Sequence, residues 1–112
     1  MNTISWSDFE KIQMRIGTIL SVNDFPEAKN PAYQLTIDFG SEIGIKKTAA
    51  QITKRYTKND LLNKQIVAVI NFPAKQIGKF MSECLILGSI ENENDIVLLS
   101  SDIKVENGLR IG

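Results

Sequence analysis

The chain has 112 residues, of which 43% are hydrophobic and 23% charged, with thirteen cations balanced by thirteen carboxylates. That is enough chain for one domain with its own core, and no apolar run approaches the roughly 18 residues of a membrane-spanning helix. Having no histidine and one cysteine, the chain lacks the commonest general base and the ligands for a structural zinc site, so no catalytic residue, metal or cofactor is expected.

Met1-Asn2-Thr3-Ile4-Ser5-Trp6 has no basic segment followed by an apolar one and does not read as a signal peptide. Ser7-Asp8-Phe9-Glu10 has the spacing of a capping box, predicting a short helix with Trp6, Phe9 and Ile12 along one docking side. From Met14 the period changes to two. Met14, Ile16, Thr18, Leu20 and Val22 are expected on one face of a strand, and Gly17 marks a bend or bulge.

Phe25 to Pro31 is turn material. Tyr33, Leu35, Ile37 and Phe39 alternate with polar residues in a second strand, and Gly40-Ser41-Glu42 turns the chain into a third from Ile43 to about Thr48. Ala50 to Tyr56 is the expected internal helical turn, which Asn59 to Lys64 continues or leaves as a loop. Gln65 to Ile70 is β-branched and almost wholly apolar, as in a strand buried on both faces. A polar loop from Asn71 to Met81 follows, then strands at Glu83–Gly88, Ile96–Leu99 and near Leu109–Ile111. Cys84, among leucine and isoleucine, reads as a buried strand residue; one cysteine without a partner suits a reducing, cytoplasmic setting.

Three strands, a short helix and two more strands predict an all-β chain. Its expected form is a five-stranded Greek-key barrel of the oligonucleotide-binding (OB) type, with a short N-terminal helix, one internal helix and additional terminal strands. Another small barrel or sandwich fits the same pattern. Residues 1–112 form a single unit in this reading, and the surplus terminal elements predict a homodimer.

Charge is polarised along the chain. Between Lys46 and Phe80, eight cations (Lys46, Lys47, Lys54, Arg55, Lys58, Lys64, Lys75 and Lys79) face one carboxylate, Asp60, so this segment carries +7 and the remainder −7. A neutral molecule polarised in this way can present a basic face to a polyanion, provided that folding gathers those cations on one side.

Asp8-Phe9-Glu10-Lys11 followed by Met14-Arg15-Ile16-Gly17-Thr18-Ile19 resembles the opening of the tRNA-binding domain family. So do Phe25-Pro26-Glu27-Ala28-Lys29, Gln51-Ile52-Thr53-Lys54-Arg55-Tyr56, and Asn71-Phe72-Pro73 leading to Ser82-Glu83. Within that family the chain is most similar to the stand-alone, export-related chaperone branch, the CsaA type. The resemblance implies an OB-fold homodimer that binds tRNA or other structured RNA. It also implies binding of unfolded or precursor polypeptides, with a link to the Sec export machinery. Lys46, Lys47, Lys75 and Lys79 are then the phosphate candidates, Lys54 and Arg55 belong to the family string, and Asn71 and Ser82 supply hydrogen bonds. Pro73 shapes the loop and Phe80 offers a flat face, whereas Phe72 is expected in the core. Gln13, Thr48-Ala49 and Lys79-Phe80-Met81 depart from the family's usual residues, which bears on RNA affinity more than on the fold.

Overall fold

A computed structural model describes all 112 residues. Five antiparallel strands form the main sheet: β1 (Met14–Asp24), β2 (Tyr33–Asp38), β3 (Ile45–Ala50), β4 (Gln65–Val69) and, after two strands of a separate hairpin, β7 (Leu85–Ile86), in the order β3-β2-β1-β4-β7. The hairpin is β5 (Lys75–Ile77) with β6 (Phe80–Ser82), and a second consists of β8 (Gly88–Asn92) with β9 (Asp95–Leu98). The barrel nearly closes where β3 meets residues 82–84: Glu83 N–H donates to Lys47 O at 2.7 Å and the Thr48 hydroxyl to Cys84 O at 2.7 Å. This is the predicted all-β OB barrel.

The second strand folds as its alternation dictates, with Tyr33, Leu35, Ile37 and Phe39 all buried. β1 follows its predicted alternation only in part. Its register shifts between Ile19 and Ser21, so Ile19 enters the core while Leu20 is exposed. The bulge therefore lies beyond Gly17, not at it. Gly17 serves a different need: a Cβ there would lie 2.5 Å from Ile37 Cγ2 and 2.7 Å from the Phe39 ring. Ile16 points away from that core, yet it is buried because the C-terminal segment covers it, with Ile16 N–H donating to Leu109 O at 3.0 Å.

Both helices differ from the expectation. α1 spans Trp6–Glu10, capped by Ser5 with Asp8 completing the box, two residues before the predicted one; Ser5-x-x-Asp8 and Ser7-x-x-Glu10 overlap, and the first prevails. Ala50–Tyr56 forms no helix. α2 is Lys58–Leu61, and Thr57 and Asp60 close a second capping box around it. The expected polar loop 71–81 contains the β5–β6 hairpin, turned through Gly78 at φ 60°. The apolar run 83–88 divides between β7 and the start of β8, and the C-terminal strand is reduced to a single bridge between Arg15 and Arg110.

Candidate binding surface

The loop 25–32 and the hairpin 75–82 meet over the outer face of β3, where OB barrels take their ligands. Phe25 and Phe80 pin them together, ring centroids 5.4 Å apart and tilted by 55°. Lys47 Nζ lies 5.4 Å from the centre of the Phe80 ring, within cation–π range.

Two adjoining recesses flank this junction. The larger, about 520 Å³, is lined by Ala49, Ala50 and Ile52 and by Phe72, Pro73, Leu85 and Ile86. The smaller, about 320 Å³, lies between Phe25, Lys29 and Asn30 of the loop and Lys75, Gln76 and Ile77 of the hairpin. Ala49, Gln51, Lys75 and Ile77 line both. Lys29 and Lys75 stand on these walls, no Asp or Glu does, and neither lysine lies within ion-pair distance of a carboxylate. The surface is therefore apolar at its base and cationic at its edge.

Folding divides the predicted site residues. Lys75, Lys79, Phe80 and Ser82 belong to the hairpin, Lys47 rests on it and Pro73 leads into it. Ser82 holds the hairpin to the barrel: its Oγ accepts Ala49 N–H at 3.2 Å and lies 3.1 Å from the Thr48 hydroxyl. Lys46 points to the opposite face of β3 from Lys47, by strand alternation. Lys54 and Arg55 are removed from the group, since both are ion-paired to Asp95 of β9 (Lys54 at 3.5 Å). Asn71 is occupied at both ends: its Oδ1 accepts Gln13 N–H at 3.0 Å and its Nδ2 donates to Lys11 O at 2.7 Å, clamping the end of α1 to the barrel. Of the other mid-chain cations, Lys58 pairs with Asp24 at 3.0 Å and Lys64 lies over Tyr56.

Phe72, expected in the core, is 55% exposed on the recess wall, because the chain turns outward after Ile70. Lys29, Ala49, Gln51 and Ile77 were not among the expected site residues. Phe-Pro-Glu-Ala-Lys was the one available signal for Lys29, as a motif rather than as a contact. Cys84 lines the larger recess from within, and burial pushes its thiol up to about 11, so it remains protonated at neutral pH.

Asp95 has a measurable consequence. The hydrogen bond from Arg55 is the main cause that holds its carboxyl below the ordinary value of 3.8, with Coulomb attraction from Arg55 and Lys54 adding to it. A folded-state value below the unfolded one contributes stability that is present above 3.8 and lost as pH falls through the folded value. Denaturant midpoints should therefore decline below about pH 4. The Asp95→Asn variant should be weaker at neutral pH and show a shallower acid decline. Identical acid limbs for the two proteins would show that this ion pair contributes nothing.

Taken together, a barrel with paired loops over a cationic, apolar-floored surface defines an OB-fold binding module. The chain belongs to the putative tRNA-binding domain family, whose model matches residues 14–110. Among solved structures it is similar to the chaperone CsaA of Bacillus anthracis, with 45% identity, a TM-score of 0.94 and coverage of 99% of this chain and 100% of that one. It is likewise similar to the CsaA chaperone protein of Picrophilus torridus, at 49% identity, a TM-score of 0.91 and coverage of 98% and 100%. It is also 33% identical over 108 residues to the methionine–tRNA ligase of Thermococcus onnurineus; that match covers 96% of this chain but only 14% of the ligase. The fold and full-length matches place it with the CsaA-type members of the family.

Proposed function

We propose that this chain is a homodimeric, cytoplasmic chaperone of the export-related type, which holds unfolded or precursor polypeptides and also binds tRNA or similarly structured RNA. It acts by binding, not by catalysis. The observation that carries this reading is the larger recess: about 520 Å³ with a mostly apolar lining, open beside a cationic edge. An apolar side chain is the chemistry that such a floor accepts, and the lysines of the hairpin suit phosphates. Solved proteins similar to this chain over its full length carry the chaperone name.

A dimer accounts for the bare apolar surface near the N-terminus. Trp6 is 82% exposed and Ile12 is exposed beside the half-buried Phe9, while Leu109 is exposed on the C-terminal segment, whose Arg110 side chain donates to Glu10 O at 3.1 Å. Sedimentation of the intact chain should give a dimer, and removal of residues 1–12 a monomer. Two monomers would dispose of that interface.

Salt separates the two ligands. Log affinity for bulk tRNA should fall with log salt by about 0.7–0.9 per neutralised phosphate. Affinity for a reduced, carboxymethylated unfolded protein should be nearly flat. Ala49→Trp, which fills the recess, should weaken the unfolded-protein complex by about tenfold or more, as expected when an apolar side chain loses its site, while tRNA binding is retained. A chain that binds tRNA and shows no affinity for the unfolded protein is a dedicated RNA binder instead. Precursors should outnumber mature proteins among polypeptides recovered with the chain from cells, if clients go to the Sec machinery; an excess of mature forms removes the export link.

A further inference from the structure

β3 is the last strand of the main sheet, and its outer rim is closed along only part of its length. Lys47 N–H donates to Glu83 Oε1 at 2.8 Å and Ala49 N–H to Ser82 Oγ at 3.2 Å, so residues 82–83 cap the rim as far as Ala49. Side chains, not a neighbouring strand, provide both of those acceptors. Gln51 is the first residue beyond β3, and continuing the alternation of Lys47 and Ala49 makes its N–H the next outward one. It donates to no protein acceptor. The preceding outward carbonyl, Ala49 O, receives only the long 3.4 Å contact from the Thr48 hydroxyl.

Both residues line the larger recess, as do Ala50 and, from β7, Leu85 and Ile86. The recess flanks the part of the β3 rim that residues 82–83 leave uncapped, and a weakly engaged carbonyl followed two residues later by an unpaired N–H is what a parallel neighbour uses: one residue of the incoming strand donates to the first and accepts from the second.

We infer that an extended polypeptide enters this recess as an added strand parallel to β3, one of its residues bonding Ala49 O and Gln51 N–H. Its alternate side chains point down onto Ile52, Leu85 and Ile86. This mode rests on the polypeptide-binding reading above and deepens it. Recognition through main-chain groups fixes the backbone of the client but little of its sequence, which suits a chaperone of unfolded chains. Nucleic acid has no alternating amide ladder and cannot bind in this way.

The probe is an acetylated and amidated peptide, Thr-Val-Thr-Leu-Thr-Val-Thr, added to the uniformly nitrogen-15-labelled full chain. At saturation the Gln51 amide should exchange with solvent at least about tenfold more slowly, since a new hydrogen bond now protects it. A single backbone N-methyl group, moved along the peptide, should weaken binding by about tenfold at the position that bonds Ala49 O and leave its immediate neighbours nearly unaffected. A bound peptide with unchanged Gln51 exchange and a flat N-methyl scan would overturn strand addition and leave side-chain capture, and with it the proposed function, intact. Failure of the peptide and of unfolded protein to bind, while tRNA binds, would sink both. Protection of Gln51 by tRNA alone would assign the rim to nucleic acid and also overturn the inference.

Discussion

Reversing charge at Lys47, Lys75 and Lys79 together (Lys→Glu at each) should weaken bulk tRNA binding by about a hundredfold or more at low salt and reduce the salt slope by about two to three. The three lysines are the two cations of the hairpin and the one on the hairpin-facing side of β3, and none is held by a carboxylate. The informative control lies a few residues away. Lys54 and Arg55 belong to the same +7 stretch of sequence, yet both are engaged by Asp95, away from the hairpin, and the trio carries only one net positive charge, so Lys54→Gln with Arg55→Gln should change RNA affinity far less. Removing them instead loosens β9, which shows as a lower denaturant midpoint. Filter binding with bulk tRNA and urea melts on both variants separate the two outcomes. Equal RNA losses from the two sets would mean that charge acts through the overall field and not through a surface on the hairpin.

That contrast also shows where sequence reading stops. Period-two alternation was sufficient for β2, because each of Tyr33, Leu35, Ile37 and Phe39 faces the same core from an unbroken strand. It failed midway along β1, because one inserted residue at the bulge exchanges the faces and leaves no mark in composition. Ile52 and Tyr56, four apart, imitate a helical face, but each reaches the core from a turn. Tyr56 is fixed there by the hydrogen bond from Leu98 N–H to its hydroxyl at 3.0 Å, a contact 42 residues distant in sequence. The real helix announced itself in Thr57-x-x-Asp60, a box overlooked beside a more apolar segment.

The candidate surface was legible as a list of charges and not as a place. Nothing local says that Asp95 will claim Lys54 and Arg55, or that Asn71 will exhaust its amide on the backbone of residues 11 and 13. Such partners are supplied by other parts of the chain. The recess itself is made of small residues, Ala49 and Ala50, and large ones, Phe72 and Leu85. Alanine at the end of an edge strand has no functional signature, yet here its small size leaves the gap open.

Truncation at the centre of the barrel carries the largest cost in stability. Phe39→Ala should destabilise the chain by about 3–5 kcal/mol, a large share of the roughly 5–15 kcal/mol available to a domain of this size. Its ring is 1% exposed, and it fills space that Gly17, on the facing strand, leaves vacant by having no side chain. The two positions should therefore be coupled. Gly17→Ala alone forces a methyl group to 2.7 Å from the ring and 2.5 Å from Ile37 Cγ2, a clash that should cost about 1–3 kcal/mol. In the Phe39→Ala background the ring is gone, and Ile37 can turn into the space it vacated. The added methyl then meets a void and no longer a wall. Urea denaturation of the two single variants and the double should give a combined loss smaller than the sum of the separate losses, by about 1 kcal/mol or more. Strict additivity would mean that Gly17 is required by the backbone of β1 and not by the ring that lies against it.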